Sequence, residues 1–487
     1  MPPAWEAAFA RDAQHGKPPL ADPLPERRLA RLLGAFIAVG LFFLVVPGTL
    51  AGVWNLVSIS SHKDAASVPA AWIQAHGHAQ LLGWVGTFII GISLYSAPKF
   101  RGAWIRSVPV GWAMLALWTA AILLRWIAGV EGWRNGIVYP LTAAVELLVG
   151  LLALWQLSAP GSSPLFRDVW NRWIGAGFLA LCVALALQIA GHPQVLTLLV
   201  WGFCYPVVWG YSSRFLPSFL GLQPLDARRA NIALAVWAIG LAVQSQPLLL
   251  ASVALACSAL RIFHPARQKA KTLFVHPHYP WFTRSAFAWL LVAAALALWD
   301  RTPGMLGASR HAFTVGFLAM MIFSIGPRLL PAFLNSRELW SARLMGVAMW
   351  LLTAGCSLRV TAQPVAYGDI AAAAWELLPV SAVIELTAVL LFAVNIGATL
   401  ASRMPVWVNR NQIKDSMSLY WFVTAYPGTR RVLIDNGLRT LAEVDRVPMS
   451  LTLREAAEAD GANPERVLAA VTSYLESRLA RALRKAS

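Results

Sequence analysis

Charge is what this chain has least of. Asp, Glu, Lys and Arg make up 13% of its 487 residues and apolar residues 58%, with a mean hydropathy of +0.58. A soluble domain carries about 25% charged and about 45–50% apolar residues, so this scarcity excludes a soluble enzyme, a disordered scaffold and a nucleic-acid binder. Cysteine is scarce as well. Cys182, Cys204, Cys257 and Cys356 lie far apart in apolar stretches, which argues against a disulfide framework or a thiolate metal site and leaves them as small packing residues. The first 29 residues hold no apolar core, and the first hydrophobic run, from Ala30, is too long for a signal peptide, so no cleavage is expected.

What is present is a series of long apolar runs. A crossing helix needs about 20 apolar residues. Twelve candidate spans are expected between residues 30 and 400, centred near Leu44, Ile89, Leu117, Leu147, Leu181, Cys204, Ala238, Ala254, Leu291, Met320, Leu352 and Leu390. The seventh and eighth are short, separated only by Gln244-Ser-Gln-Pro247, and read as a tight hairpin of two spans. The 40 Lys and Arg against 23 Asp and Glu give a net charge of +17. With the N-terminus in the cytoplasm, 16 of the 22 loop and helix-end cations fall on the cytoplasmic side. The other six are Lys63, Arg125, Arg134, Arg301, Arg310 and Arg359. That bias is the positive-inside pattern. The expected organisation is a cytoplasmic tail over 1–29, a twelve-span membrane domain over 30–402, and a cytoplasmic linker with a small α-helical domain over 403–487.

The spans repeat. Span 2 reads His78-Ala-Gln-Leu-Leu-Gly83-Trp84 and runs on to Pro98 and Phe100; span 10 reads His311-Ala-Phe-Thr-Val-Gly316-Phe317 and runs on to Pro331 and Phe333. Span 6 keeps the frame from Thr197 through Gly202-Phe203 to Pro217 and Phe219, without the histidine. The frames begin four spans apart, and an even number of crossings makes the units parallel copies about an axis along the membrane normal, unlike the inverted repeats of most transporters. The expected fold is an all-α polytopic membrane protein of about twelve helices in three pseudo-threefold four-helix arcs, plus the small soluble domain.

Three such arcs with histidines near the outer ends of spans 2 and 10 resemble the large subunit of haem-copper oxidases and nitric oxide reductases. The stretch Trp72 to Pro98 with His76-Gly77-His78, and Arg310-His-Ala-Phe-Thr-Val-Gly316 with Met321 and Arg328, resemble the NnrS family, an outlying relative, over roughly residues 30–400. The Pro331-Ala-Phe-Leu-Asn335 stretch departs from that family's usual Gly-His-Thr-Gly-like continuation. The resemblance implies a bacterial inner-membrane protein carrying haem, with copper as a further possibility, associated with nitric oxide metabolism and tolerance of nitrosative stress.

An imidazole inside a span faces the protein interior and has a partner. His78 and His311 share a frame position. They read either as axial ligands of a low-spin b-type haem or as interhelical hydrogen-bonding groups. His76 lies about 200° around the helix from His78 and so serves another face, as ligand to a second haem or copper, or as a helix-entry imidazole. His192, in His192-Pro-Gln-Val195, is similar to the His-Pro-Glu-Val of an oxidase copper site and equally to a turn before a helix with Pro at its first position. His264, His276 and His278 lie in the basic loop on the other side. Arg125, Arg134, Arg310 and Arg359 suit haem propionates or snorkelling. Glu146, Glu376 and Glu385 are too few to draw a proton wire.

Residues 412–480 return to soluble charge density. Thr452-Leu-Arg-Glu455 is a capping box and Asn463-Pro-Glu-Arg a helix entry. The segment resembles the small N-terminal domain of iron–sulfur cluster repair proteins, but Leu438-Arg-Thr-Leu441 lacks the cysteines found there, so a docking or regulatory role is expected. The functional expectation is a haem protein handling nitric oxide as its small gaseous ligand, by reduction, capture or sensing. The alternatives are a haem-based sensor signalling through the cytoplasmic module to a protein partner, and a haem-free channel or transporter. Lipid is the expected surrounding and nucleic acid is not a partner.

Overall fold

A computed structural model describes residues 1–14, 23–101, 103–133, 136–159, 167–192, 194–272, 275–334, 339–401, 413–426, 428–444 and 447–486. Among these residues the regular structure is helical, with no strand. Ten helices are long and apolar enough to cross a membrane: Arg28–His62, Ala70–Phe100, Val108–Val130, Val138–Leu157, Val169–Ile189, Val195–Leu220, Tyr279–Trp299, Met305–Pro331, Ala342–Tyr367 and Ala374–Ala401. They are spans 1 to 6 and 9 to 12. Between them the expected hairpin appears as two shorter helices, Ala227–Ala242 and Gln246–Leu260, packed against each other and counted as 7 and 8. All twelve expected centres fall within these helices.

Most consecutive spans pack side by side, and span 12 returns to pack on span 1. Spans 2, 6 and 10 are the inner ones. Their most apolar windows are 94%, 72% and 72% buried by protein, against 33–56% for the other long spans. A helix apolar all round belongs where protein surrounds it; the rest leave one face for lipid.

The three inner spans share a local distortion that the repeat frame locates. Each carries a widened π turn in the same register, at Ala79–Gly86, Leu198–Cys204 and Ala312–Ala319, and each carries its frame proline, Pro98, Pro217 or Pro331, further along. A π turn breaks the ordinary ladder and leaves a carbonyl to be satisfied from elsewhere. In span 2 the indole of Trp118, from span 3, donates to the Leu82 carbonyl at 3.2 Å, joining the Thr87 amide and hydroxyl there; in span 6 Trp237 of span 7 donates to the equivalent Trp201 carbonyl at 2.7 Å. Leu351 holds the matching place beside span 10.

Contacts between the inner spans run in one rotational sense. Arg214 of span 6 lies over Phe100 of span 2 at 5.6 Å, Arg328 of span 10 lies over Phe219 of span 6 at 5.5 Å, and Tyr95 of span 2 packs on Phe333 of span 10 at 4.9 Å. These are the same two frame positions three times, so the contacts close a triangle at the proline ends of the three helices. Each repeat touches the next through unlike positions.

The chain ends meet. Pro3–Gln14 is a helix, with Trp5 and Ala8 fully buried in one apolar core with Leu419, Phe422, Leu433, Leu453 and Val467. Asp12, 1% exposed, accepts from the Met449 and Ser450 amides, and Arg11 pairs with Glu455 at 3.2 Å. The N-terminal segment, expected as a plain tail, is therefore a structural part of the C-terminal module. The capping box forms as expected, with the Thr452 hydroxyl accepting from the Glu455 amide at 3.1 Å and the Glu455 carboxylate accepting from the Thr452 amide at 2.9 Å. Of the linker and helical domain expected over 403–487, residues 403–412 lie outside the described residues.

Candidate functional site

His76 and His78 serve two different neighbourhoods, as their spacing on an α-helix requires. His76 turns toward span 1. There Pro47 lacks an amide hydrogen and sits in a π turn over Leu44–Leu50, stitched by Thr49 Oγ1 donating to the Leu44 carbonyl at 2.7 Å and by Gln80 Nε2 donating to Thr49 Oγ1 at 3.0 Å. The distortion presents the Gly48 carbonyl to His76 Nδ1 at 2.8 Å. Gly52, four residues on, faces the imidazole so closely that a Cβ has no room.

His311 makes the corresponding bond within its own helix, Nδ1 lying 3.0 Å from the Gly307 carbonyl. A carbonyl only accepts, so Nδ1 carries the proton in both rings and Nε2 keeps its lone pair. His311 lies in electrostatic reach of Arg359, His76 and Arg310, and His76 in reach of Arg359. Spans 2, 10 and 11 thus bring His76, His311 and Arg359 together.

Arg359 is 6% exposed and leaves Nε and Nη1 without partners. It is within electrostatic reach of Glu385 of span 12 and Tyr367, yet Oε1 of Glu385 has no hydrogen-bond partner and the two side chains form no ion pair. Gly355 provides the close approach that seats Glu385, since a Cβ there meets the glutamate side chain. His76, His311 and Glu385 are each half-buried, so none of the three is fully enclosed by its neighbours. Buried ionisable groups without partners are costly unless a ligand or ordered water completes them.

His78, expected opposite His311, is placed elsewhere. Its Nε2 contacts the Glu146 carboxylate of span 4 at 3.2 Å, with Glu146 fully buried, while Nδ1 has no partner. Arg125 of span 3 is in electrostatic reach of Glu146 and donates to the Tyr139 carbonyl at 3.3 Å. The Gln188 amide, oriented with its oxygen toward the guanidinium, accepts from it at 2.7 and 3.0 Å. Arg125 therefore belongs to the His78 neighbourhood.

Of the other expected residues, Arg310 is in electrostatic reach of His311 and the rest stand apart. Arg310 is exposed at the start of span 10. His192 is exposed, its Nδ1 accepting from the Gln194 amide at 3.3 Å, a turn-capping role. His264 and His278 are exposed; His276 packs against Gly346, its ring 5.2 Å from that of His278. Glu376 is exposed at the start of span 12. Arg134 lies outside the described residues. Among the described residues no group of three or more His, Cys, Asp or Glu side chains is placed to hold a metal ion. Sequence reasoning missed Gly48 and Gly52, although Pro47-Gly48 in the middle of an apolar run is a readable sign of a broken ladder.

The family model described as NnrS protein matches residues 28–403. No curated protein matches the chain.

Proposed function

The chain belongs to the NnrS family, whose members are membrane proteins linked to the nitric oxide response, and on that premise we propose that it binds haem and handles nitric oxide. The observation that carries the reading is the shared state of two histidines. His76 and His311 each commit Nδ1–H to a backbone carbonyl and keep Nε2 out of any hydrogen bond, which is how imidazoles that ligate haem iron are oriented. These two, rather than His78 with His311, are the residues we propose would hold the haem.

When bound, b-type haem supplies affinity for a diatomic ligand and one-electron exchange. The chain's own contribution is orientation. The Gly48 and Gly307 carbonyls fix each ring and raise its donor strength, Gly52 leaves room for the imidazole, and the surrounding spans exclude bulk water. Both imidazoles would be engaged in holding the haem, and one of them would have to withdraw to admit a small ligand. His76 is the better placed, because its carbonyl partner lies on a different helix.

A sensor reading has one observation in its favour. Span 1 seats His76 and span 12 carries Glu385, and the segments beyond these two spans carry the helices of the terminal module. The charge balance of the loops supports a bacterial inner-membrane location with that module in the cytoplasm. Pyridine haemochrome analysis of the purified protein, with a nitric oxide difference spectrum, tests the proposal. Stoichiometric haem b with a nitric oxide-dependent spectral change supports it; protein that folds without haem in haem-replete cells refutes it.

A further inference from the structure

Buried polar groups of spans 1 and 11 would stay unused if His76 and His311 held a haem. Asn55, 5% exposed, has neither amide atom bonded; Arg359, 6% exposed, leaves Nε and Nη1 unpartnered; Gln363, 6% exposed, leaves Oε1 unpartnered. Their positions place them in one layer. Gly48, Gly52 and Asn55 follow one another at helical steps on span 1, so Asn55 continues the face that seats His76, one turn nearer the membrane side away from the chain ends. Arg359 and Gln363 are one turn apart on span 11. The Gln363 amide lies against Gly307, whose carbonyl fixes His311 and which has no room for a Cβ.

Leu56, next to Asn55, and Ala362, next to Gln363, share one buried apolar cluster, so spans 1 and 11 offer hydrogen-bonding groups at one level, a shelf dominated by the buried guanidinium. Glu385, the carboxylate in its electrostatic reach, does not pair with it. A guanidinium edge with unfilled donors is complementary to a planar anion that accepts two parallel bonds, and an amide beside it adds a third contact without adding charge.

We infer that this shelf is a carboxylate site: Arg359, assisted by Asn55 and Gln363, holds the anionic edge of the ligand whose iron His76 and His311 bind, turned toward the side of the membrane away from the chain ends. The inference rests on the haem reading for the source of the carboxylate, which is then a propionate. A small free anion such as formate or nitrite presents the same chemistry, and the experiment separates the two.

Full-length protein made in a haem-deficient host is reconstituted with haem b or with its dimethyl ester, and loss of each to excess apomyoglobin is timed. Wild type is expected to hold the free acid about 10–100-fold longer than the diester, the range of a charge-assisted hydrogen bond. Arg359→Gln should abolish the preference, Arg359→Lys should keep part of it, and Asn55→Leu should reduce it several-fold. His311→Ala, the folding and ligation control, should speed loss of both forms alike. Equal retention of acid and diester by wild type, or an undiminished preference in a monodisperse Arg359→Gln protein, overturns the inference. If neither porphyrin is held but formate or nitrite raises the wild-type melting temperature and not that of Arg359→Gln, the haem reading fails and the site stands for a free anion. If neither porphyrin nor anion has an effect, both fail.

Discussion

Replacing Gly52 with alanine is a test whose size can be worked from the structure. A Cβ at this position lies 3.0 Å from both ring nitrogens of His76 and closer still to Cε1, against 3.4–4 Å for ordinary contact. The imidazole must retreat by roughly an ångström at Cε1. Its 2.8 Å bond to the Gly48 carbonyl fixes the direction in which it can go, so retreat lengthens that bond or tilts the ring. Overpacking a filled interior costs about 1–3 kcal/mol, and weakening one hydrogen bond adds roughly 1 kcal/mol. If about 1–3 kcal/mol of this falls on the ligand-bound form, haem affinity drops roughly 5–150-fold. The assay is retention of haem by the purified variant, read beside the low-spin paramagnetic signals, which report ring orientation. Gly397→Ala is the control, because a Cβ there meets nothing within 4 Å. Unchanged retention and unchanged low-spin signals in Gly52→Ala would refute the placement of His76 against span 1.

Other consequences are checked more simply. Trp5→Ala empties a fully buried site in the terminal module and should cost about 3–5 kcal/mol, seen as rapid proteolysis within 413–475 while the membrane spans stay intact; an equally resistant variant contradicts the two-ended module. Trp237→Phe removes the indole donor from the Trp201 carbonyl, whose π-turn partner position is Pro206, and should lower stability by about 1–3 kcal/mol; Trp118→Phe leaves the Leu82 carbonyl its Thr87 amide and hydroxyl donors and should cost only about 0.5–1.5 kcal/mol, whereas Leu351→Phe, at the unit lacking the indole, should not lose a hydrogen bond; melting of the three purified variants compares them. Reporter fusions after residue 402 and within 261–284 should both read cytoplasmic, and a periplasmic signal at either would overturn the span count.

Much of this fold is legible in the sequence because two strong signals agree: apolar runs of spanning length, and a frame of Gly, aromatic, Pro and Phe recurring every four spans. The frame is more physical than its letters suggest, since it marks a π turn and a proline at matching places in three inner helices. Partnership of the histidines was not legible in the same way. His78 and His311 occupy equivalent positions, which invites pairing them. In a threefold arrangement, however, equivalent positions face equivalent and therefore different clefts, as the unlike partners Arg214 with Phe100 and Arg328 with Phe219 illustrate. A ligand between two repeats is held by non-equivalent residues. That places His76, two residues out of frame, beside His311 and sends His78 to Glu146. The polar shelf was invisible for another reason: Asn55 and Gln363 look like ordinary polar residues near span ends until burial shows their amides unpaired. The role of residues 3–14 depends on a contact across more than 400 residues, which no local pattern carries.

The most direct measurement is near-infrared magnetic circular dichroism with electron paramagnetic resonance on the oxidised protein and its His76→Ala, His311→Ala and His78→Ala variants, each normalised to haem per chain. Wild type should show bis-imidazole low-spin haem. His76→Ala and His311→Ala should each lose the haem or turn it five-coordinate and high-spin, and His78→Ala should keep the bis-imidazole signature. Loss of that signature in His78→Ala, with its retention in His76→Ala, would contradict the account.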